Sequence, residues 1–98
     1  MSLNRRNPKR DANEAIIVEA LEARGFHVDR VSARGFPDLV VSKRDNGQGW
    51  VWFVEVKRAT GQLEALYTPA QRQWRQNWQG PIPRTLRTVD EAKRFPNA

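Results

Sequence analysis

Apolar residues recur at helical spacing in "DANEAIIVEALEARG", residues 11–25, where Ile17, Val18 and Leu21 share one face and Ile16 and Ala20 widen it. Glu14 falls on that apolar face, while Glu19 and Glu22 point away from it. Asp11 or Asn13 can cap the start of this helix, and Gly25 can stop it. The pattern then shortens to alternation. "FHVDRV", residues 26–31, predicts a strand, and "GFPDLVVSKRDNGQGWVWFVEVK", residues 35–57, predicts two strands joined at Asn46-Gly47. "RATGQLEALY" carries no clear period and predicts a loop or a short helical turn. "TPAQRQWRQNWQG" has Thr68 as a cap, Pro69 in the first turn, Gln71 where a capping box places its third residue, and Gly80 at the far end. "RTLRTV" predicts a short strand. Thr88 and Glu91 repeat the capping logic for a last short helix. The expected fold is α/β in the order α-β-β-β-α-β-α, with a central mixed sheet flanked by helices. The hairpin is antiparallel, and the segment through 69–79 is long enough for a crossover to a parallel strand.

The hairpin raises a chemical question. If Asn46 and Gly47 are the turn residues, Asp45 faces Gln48, and counting outward in step brings Asp38 opposite Glu55. Lys57, two residues beyond Glu55, shares that face. Two carboxylates about 5 Å apart repel by roughly 3 kcal/mol at an effective dielectric near 20. Lys57 offsets part of this, and a divalent cation between the acids offsets more. Hard oxygen ligands suit Mg²⁺ or Mn²⁺, and the Val56 carbonyl between the two charged positions is a further candidate ligand. The alternative is a purely structural network of Asp38, Glu55 and Lys57. A hydrolytic site also needs a cation near the developing phosphate charge, a role open to Lys57.

Composition narrows the partner. The chain has 98 residues, enough for one modest core, and a net charge of +6 from 17 basic and 11 acidic residues. That balance favours phosphate polyanions. "MSLNRRNPKR", residues 1–10, is expected to be a flexible basic arm, leaving 11–98 as one domain. No Cys is present, so thiolate metal sites and disulfides are excluded. A cytoplasmic setting is expected, because no run suits a membrane span and no apolar signal region follows the basic start. Arg34, Lys43, Arg44, Arg58, Arg72 and Arg75 flank the charged motif as a candidate phosphate-binding rim. Alternation puts Trp50 and Trp52 on the sheet face opposite Asp38, where core packing or a subunit interface is the first expectation and base stacking the second. The single histidine, His27, is expected in a structural role.

"FPDLVV" followed by "FVEVK" resembles the PD-(D/E)XK nuclease superfamily. More closely, "RGFPDLVV…WFVEVKRATGQL…TPAQRQW…RTVDEA" resembles the VRR-NUC domain family, stand-alone phage and bacterial type, over nearly the whole chain. The resemblance implies a restriction-endonuclease-like core, with Asp38 and Glu55 as metal ligands and Lys57 as the catalytic lysine. It further implies Glu14 as an acidic metal-site residue from the first helix and Gln71 as a site glutamine. Each of the last two has a structural alternative: a helix-start acid for Glu14, a cap for Gln71. Phe36 departs from the small residue common before "PD" in such families. The implied activity is Mg²⁺- or Mn²⁺-dependent, structure-specific hydrolysis of DNA by a homodimer, in branched substrates such as Holliday junctions. A flap- or nick-directed nuclease, a non-catalytic basic nucleic-acid-binding module, and an interaction subunit using its tryptophans are the alternatives.

Overall fold

A computed structural model describes residues 12–97. The expected basic arm and the Asp11 cap lie outside the described residues. The order is α1 (Ala12–Ala23), β1 (His27–Arg30), β2 (Leu39–Asp45), β3 (Gln48–Val56), α2 (Leu63–Leu66), α3 (Pro69–Asn77), β4 (Arg84–Leu86) and α4 (Val89–Arg94). Four strands form one sheet in the order β1-β2-β3-β4. The first three run antiparallel in sequence, and β4 joins β3 in parallel. The fold is therefore α/β with a mixed sheet flanked by helices, as the hydrophobic pattern predicts. The uncertain "RATGQLEALY" segment contains the short α2.

The hairpin register follows from its turn. Asn46 and Gly47 both take positive φ, 51° and 80°, the pair of left-handed residues that a two-residue turn requires. Asp45 pairs with Gln48, and the ladder runs without a bulge to Leu39 opposite Val54. One more step puts Asp38 beside Glu55. Only Glu55 lies within a strand, however. Asp38 immediately precedes β2 and Lys57 immediately follows β3, so both occupy strand ends rather than the strand interiors expected of them.

Alternation sorts the side chains onto two faces. Leu39, Val41, Trp52 and Val54 pack with Ile17, Val18 and Leu21 of α1, with Ala92 of α4, and with Phe26 and Phe95. Phe26, Trp52 and Phe95 meet edge to face, with centroids 5.3–5.7 Å apart. The opposite face carries Val40, Phe53 and Glu55 and is covered by α3. Phe36, Phe53, Trp74 and Trp78 form the contact, Trp74 and Trp78 being stacked at 4.7 Å. Each such aromatic pair contributes about 0.5–1.5 kcal/mol beyond its burial. Phe36 thus pins the loop before Asp38 onto α3. Gly35, at φ +79°, sits so close to α3 that an added Cβ would lie 2.7 Å from the Ala70 carbonyl oxygen.

The helix ends are mostly as the sequence predicts. Both capping boxes form, Thr68 with Gln71 and Thr88 with Glu91. Asn13 is a correction. It lies inside α1 rather than at its cap, and its Nδ2 donates to the carbonyls of Lys57 at 3.0 Å and Arg87 at 3.3 Å. Helix α3 ends at Asn77, with Trp78 as its C-cap, before Gly80 is reached. Among the described residues, no helix is long and apolar enough to cross a membrane.

Candidate active site at the ends of the central strands

The geometry of β3 prepares the site before any side chain is placed. The parallel pairing of Val56 with Leu86, together with the Lys57 N–H donating to the Leu86 carbonyl at 3.1 Å, directs Val56's own peptide groups toward β2. There β2 has already ended. The Val56 N–H instead donates to Asp38 Oδ2 at 2.8 Å. The same alternation turns the Val56 carbonyl to the Asp38 side. The Asp38 carbonyl accepts from the Val31 N–H at 2.8 Å, which closes the loop between β1 and β2 and fixes the acid's position.

Glu55 is 1% exposed, the most deeply buried charged residue among those described. Burial, followed by the charge of Asp38 and a hydrogen bond between the two carboxyls, pushes its pKa from 4.5 up to about 8, against smaller downward pulls from Lys57 and Arg75. At neutral pH Glu55 therefore favours its protonated form. Gln71 Nε2 donates to Glu55 Oε1 at 3.3 Å, and Gln71 Oε1 accepts from Lys57 Nζ at 2.7 Å. Gln71 Oε1 also accepts from the Thr68 N–H at 3.0 Å, and the Gln71 N–H donates to Thr68 Oγ1 at 3.1 Å. The capping role and the site role, alternatives in the sequence, are held at once by one amide.

Lys57 Nζ donates a second bond to the Leu66 carbonyl at 3.0 Å and lies 5.1 Å from the Tyr67 ring centroid. An ammonium has three N–H donors, so one remains for a water or a phosphate oxygen. Arg75 packs over the same Tyr67 ring at 4.6 Å and donates to the Tyr67 hydroxyl at 3.1 Å. That hydroxyl also bonds Thr85 Oγ1 at 2.5 Å. Arg75 Nε is buried without a hydrogen-bond partner among the described residues.

The structure brings together Asp38, Glu55, Val56, Lys57, Gln71 and Arg75. Glu14 is buried, as its place on the apolar face predicts, and its Oε2 accepts from Arg30 Nε at 3.0 Å. Among the described residues, no three acidic or histidine side chains converge as metal ligands. The oxygens that can hold a hard cation are those of Asp38, Glu55 and the Val56 carbonyl, a donor set that suits Mg²⁺ or Mn²⁺.

The proposed basic rim divides. Arg34 and Arg58 are exposed in the loops that border the site. Arg72 spends its guanidinium on the carbonyls of Tyr67, at 3.3 Å, and Glu64, at 2.6 Å. Lys43 points to the opposite face, where it donates to the Arg24 carbonyl at 3.1 Å. Arg44 alternates onto the site face but stands at the hairpin tip, roughly 20 Å away by strand rise.

No protein-family model, no characterised protein and no solved structure matches this chain. The residues that build the site therefore rest on geometry and on the motif resemblance. Three contributors escape sequence reasoning: Tyr67, which joins Lys57, Arg75 and Thr85; Asn13, which ties α1 to the Lys57 carbonyl; and Arg87. Arg87 donates to the carbonyls of Arg58 at 2.9 Å and Gly61 at 2.6 Å and so braces the loop after β3. Tyr67 had one available signal, as the chain's single tyrosine immediately before a helix cap.

Proposed function

We propose that this protein is a Mg²⁺- or Mn²⁺-dependent DNA endonuclease with a restriction-endonuclease-like core, acting on branched DNA such as four-way junctions. The observation that carries this reading is a buried glutamate held against a second carboxylate and wired through Gln71 to a lysine. Such an arrangement destabilises an empty fold and suits a cation. Asp38, Glu55 and the Val56 carbonyl would hold the ion, which as a Lewis acid supplies a nucleophilic hydroxide and neutralises phosphate charge. Lys57, fixed by Leu66 and Gln71, has its third N–H for the attacking water or the scissile phosphate. Gln71 keeps Lys57 and Glu55 in one geometry. Arg75, braced on Tyr67, adds positive charge beside them, and the exposed Arg34 and Arg58 are positioned to receive flanking phosphates. The motif resemblance supports a homodimer, whose paired sites suit symmetric cuts.

The test is cleavage of a labelled four-way junction beside linear duplex and a flap, with Mg²⁺, Mn²⁺ or EDTA. The expected result is metal-dependent cutting, strongest on the junction and lowered about 10²- to 10⁴-fold by Lys57→Ala, the range for losing a positioned proton-transfer or charge-stabilising group. Preference for the flap would move the reading to a flap nuclease. Tight DNA binding by folded protein without cutting in either metal would replace the enzyme with a basic binding module.

A further inference from the structure

We propose that the sheet face opposite Asp38 and Glu55 carries a second nucleic-acid subsite, which takes an unpaired, single-stranded segment on Trp50 with its phosphates on Arg24 and Lys43. The proposal rests on the nucleic-acid reading above for its class of ligand, but not on catalysis. Trp52, Trp74 and Trp78 each pack against other rings, whereas Trp50, among the described residues, packs against none and is 51% exposed. An indole left half bare near the start of β3 is an available stacking surface. Lys43 is its direct cross-strand partner, so both project from the same face.

The cations beside Trp50 are fixed. Lys43 Nζ lies 4.7 Å from the Phe26 ring centroid, and the Arg24 guanidinium lies 5.3 Å from the same ring. Arg24 Nη1 is further held by the Ala92 carbonyl at 2.7 Å, and Lys43 Nζ by the Arg24 carbonyl at 3.1 Å. Two positive groups gathered on one ring repel each other, and an anion between them relieves that repulsion. Arg24, Phe26, Lys43, Trp50 and Trp52 line an open cavity of about 360 Å³, within the size range of small-ligand sites. Asp45 also borders it and offsets one positive charge. Trp50 stands five residues before Glu55, roughly 17 Å along the strand and on the other face. The subsite is therefore separate from the carboxylate site. It would engage an unpaired segment of a branched substrate whose cleaved strand lies across the sheet edge.

The test is binding of a short labelled oligothymidylate in EDTA, read by fluorescence anisotropy. The parent protein, Trp50→Ala, Trp50→Phe and Glu19→Gln are compared, each checked for folding by its thermal melt. Stacking contributes about 1–3 kcal/mol per base, so Trp50→Ala should weaken binding about 5- to 160-fold, while Trp50→Phe and Glu19→Gln bind much like the parent. An abasic oligomer of equal length should bind the parent as weakly as the full oligomer binds Trp50→Ala. Equal affinity of parent and Trp50→Ala, equal affinity for normal and abasic oligomers, or no binding by the parent overturns the subsite. Full competition by anionic lipid vesicles combined with Trp50 independence would make the surface a general polyanion patch instead. Trp50-dependent binding without metal-dependent cleavage sinks the nuclease and keeps the subsite. Cleavage with Trp50-independent binding does the reverse.

Discussion

At the scale of single residues, Glu55 carries the strongest consequence. Its folded pKa of about 8 stands above its ordinary 4.5, so the folded state holds the proton more tightly than the unfolded chain. Its stabilising contribution is complete below pH 4.5 and is lost as pH rises toward 8. In EDTA, melting temperatures of the parent should fall across that window more steeply than those of Glu55→Gln. Asp38→Asn, which keeps an oxygen for the Val56 N–H but removes the neighbouring charge, should flatten the fall as well. Adding Mg²⁺ at pH 8 should raise the melting temperature of the parent and leave both variants unmoved. An unchanged parent would remove the metal from the site. Gln71 permits a sharper separation. Gln71→Ala and Thr68→Ala each break the capping box and should each cost about 1 kcal/mol in urea denaturation. Only Gln71→Ala also frees Lys57 from Glu55, and misplacing a reacting group by an ångström costs on the order of 10²-fold in rate. Cleavage assays should therefore find Thr68→Ala nearly as active as the parent and Gln71→Ala far slower. Equal activities would reduce Gln71 to a cap.

At the scale of elements, the hairpin decides where the acids meet. Its turn at Asn46-Gly47 is open to solvent, and an added Cβ on Gly47 would touch nothing within 4 Å. Gly47→Ala therefore isolates the cost of a left-handed residue, about 1–2 kcal/mol, and should lower the urea midpoint without changing the slope. Gly35→Ala combines the same backbone strain with a Cβ driven to 2.7 Å from the Ala70 carbonyl oxygen. It should cost more stability than Gly47→Ala and also lower cleavage, because the loop that carries Phe36, Pro37 and Asp38 leans on α3 there. The reverse order of stability losses would mean that the loop yields freely. Much of this level was legible in advance, because Asn-Gly fixes a register and a register fixes facing pairs. The helix caps were legible for the same local reason. Asn13 was not, because its partners are the Lys57 and Arg87 carbonyls, far along the chain, and no local rule selects long-range acceptors.

At the scale of the whole molecule, the two faces of the sheet divide the labour. One buries the apolar core beneath α1 and α4. The other, under α3, carries the paired acids. If the substrate is branched DNA, as proposed, a chain of 11.3 kDa offers it little surface. Sedimentation equilibrium should accordingly give twice that mass, and a strictly monomeric protein that still cuts both strands of a junction symmetrically would sink the dimer.

The sequence by itself determined the element order, the hairpin register, the approach of Asp38 to Glu55, and the placement of Trp50 and Trp52 on the sheet face opposite Asp38. All of these follow from local turn geometry and the strand period of two. The tertiary structure decided what those rules do not reach. It set Glu14 against Arg30, because packing the apolar face of α1 carries Glu14 inward with it. It turned Lys43 toward Phe26 and gave Tyr67 its place between Lys57, Arg75 and Thr85. It also let one glutamine serve cap and site together, since only the docking of α3 against β3 brings the Gln71 amide within reach of both Lys57 and Glu55.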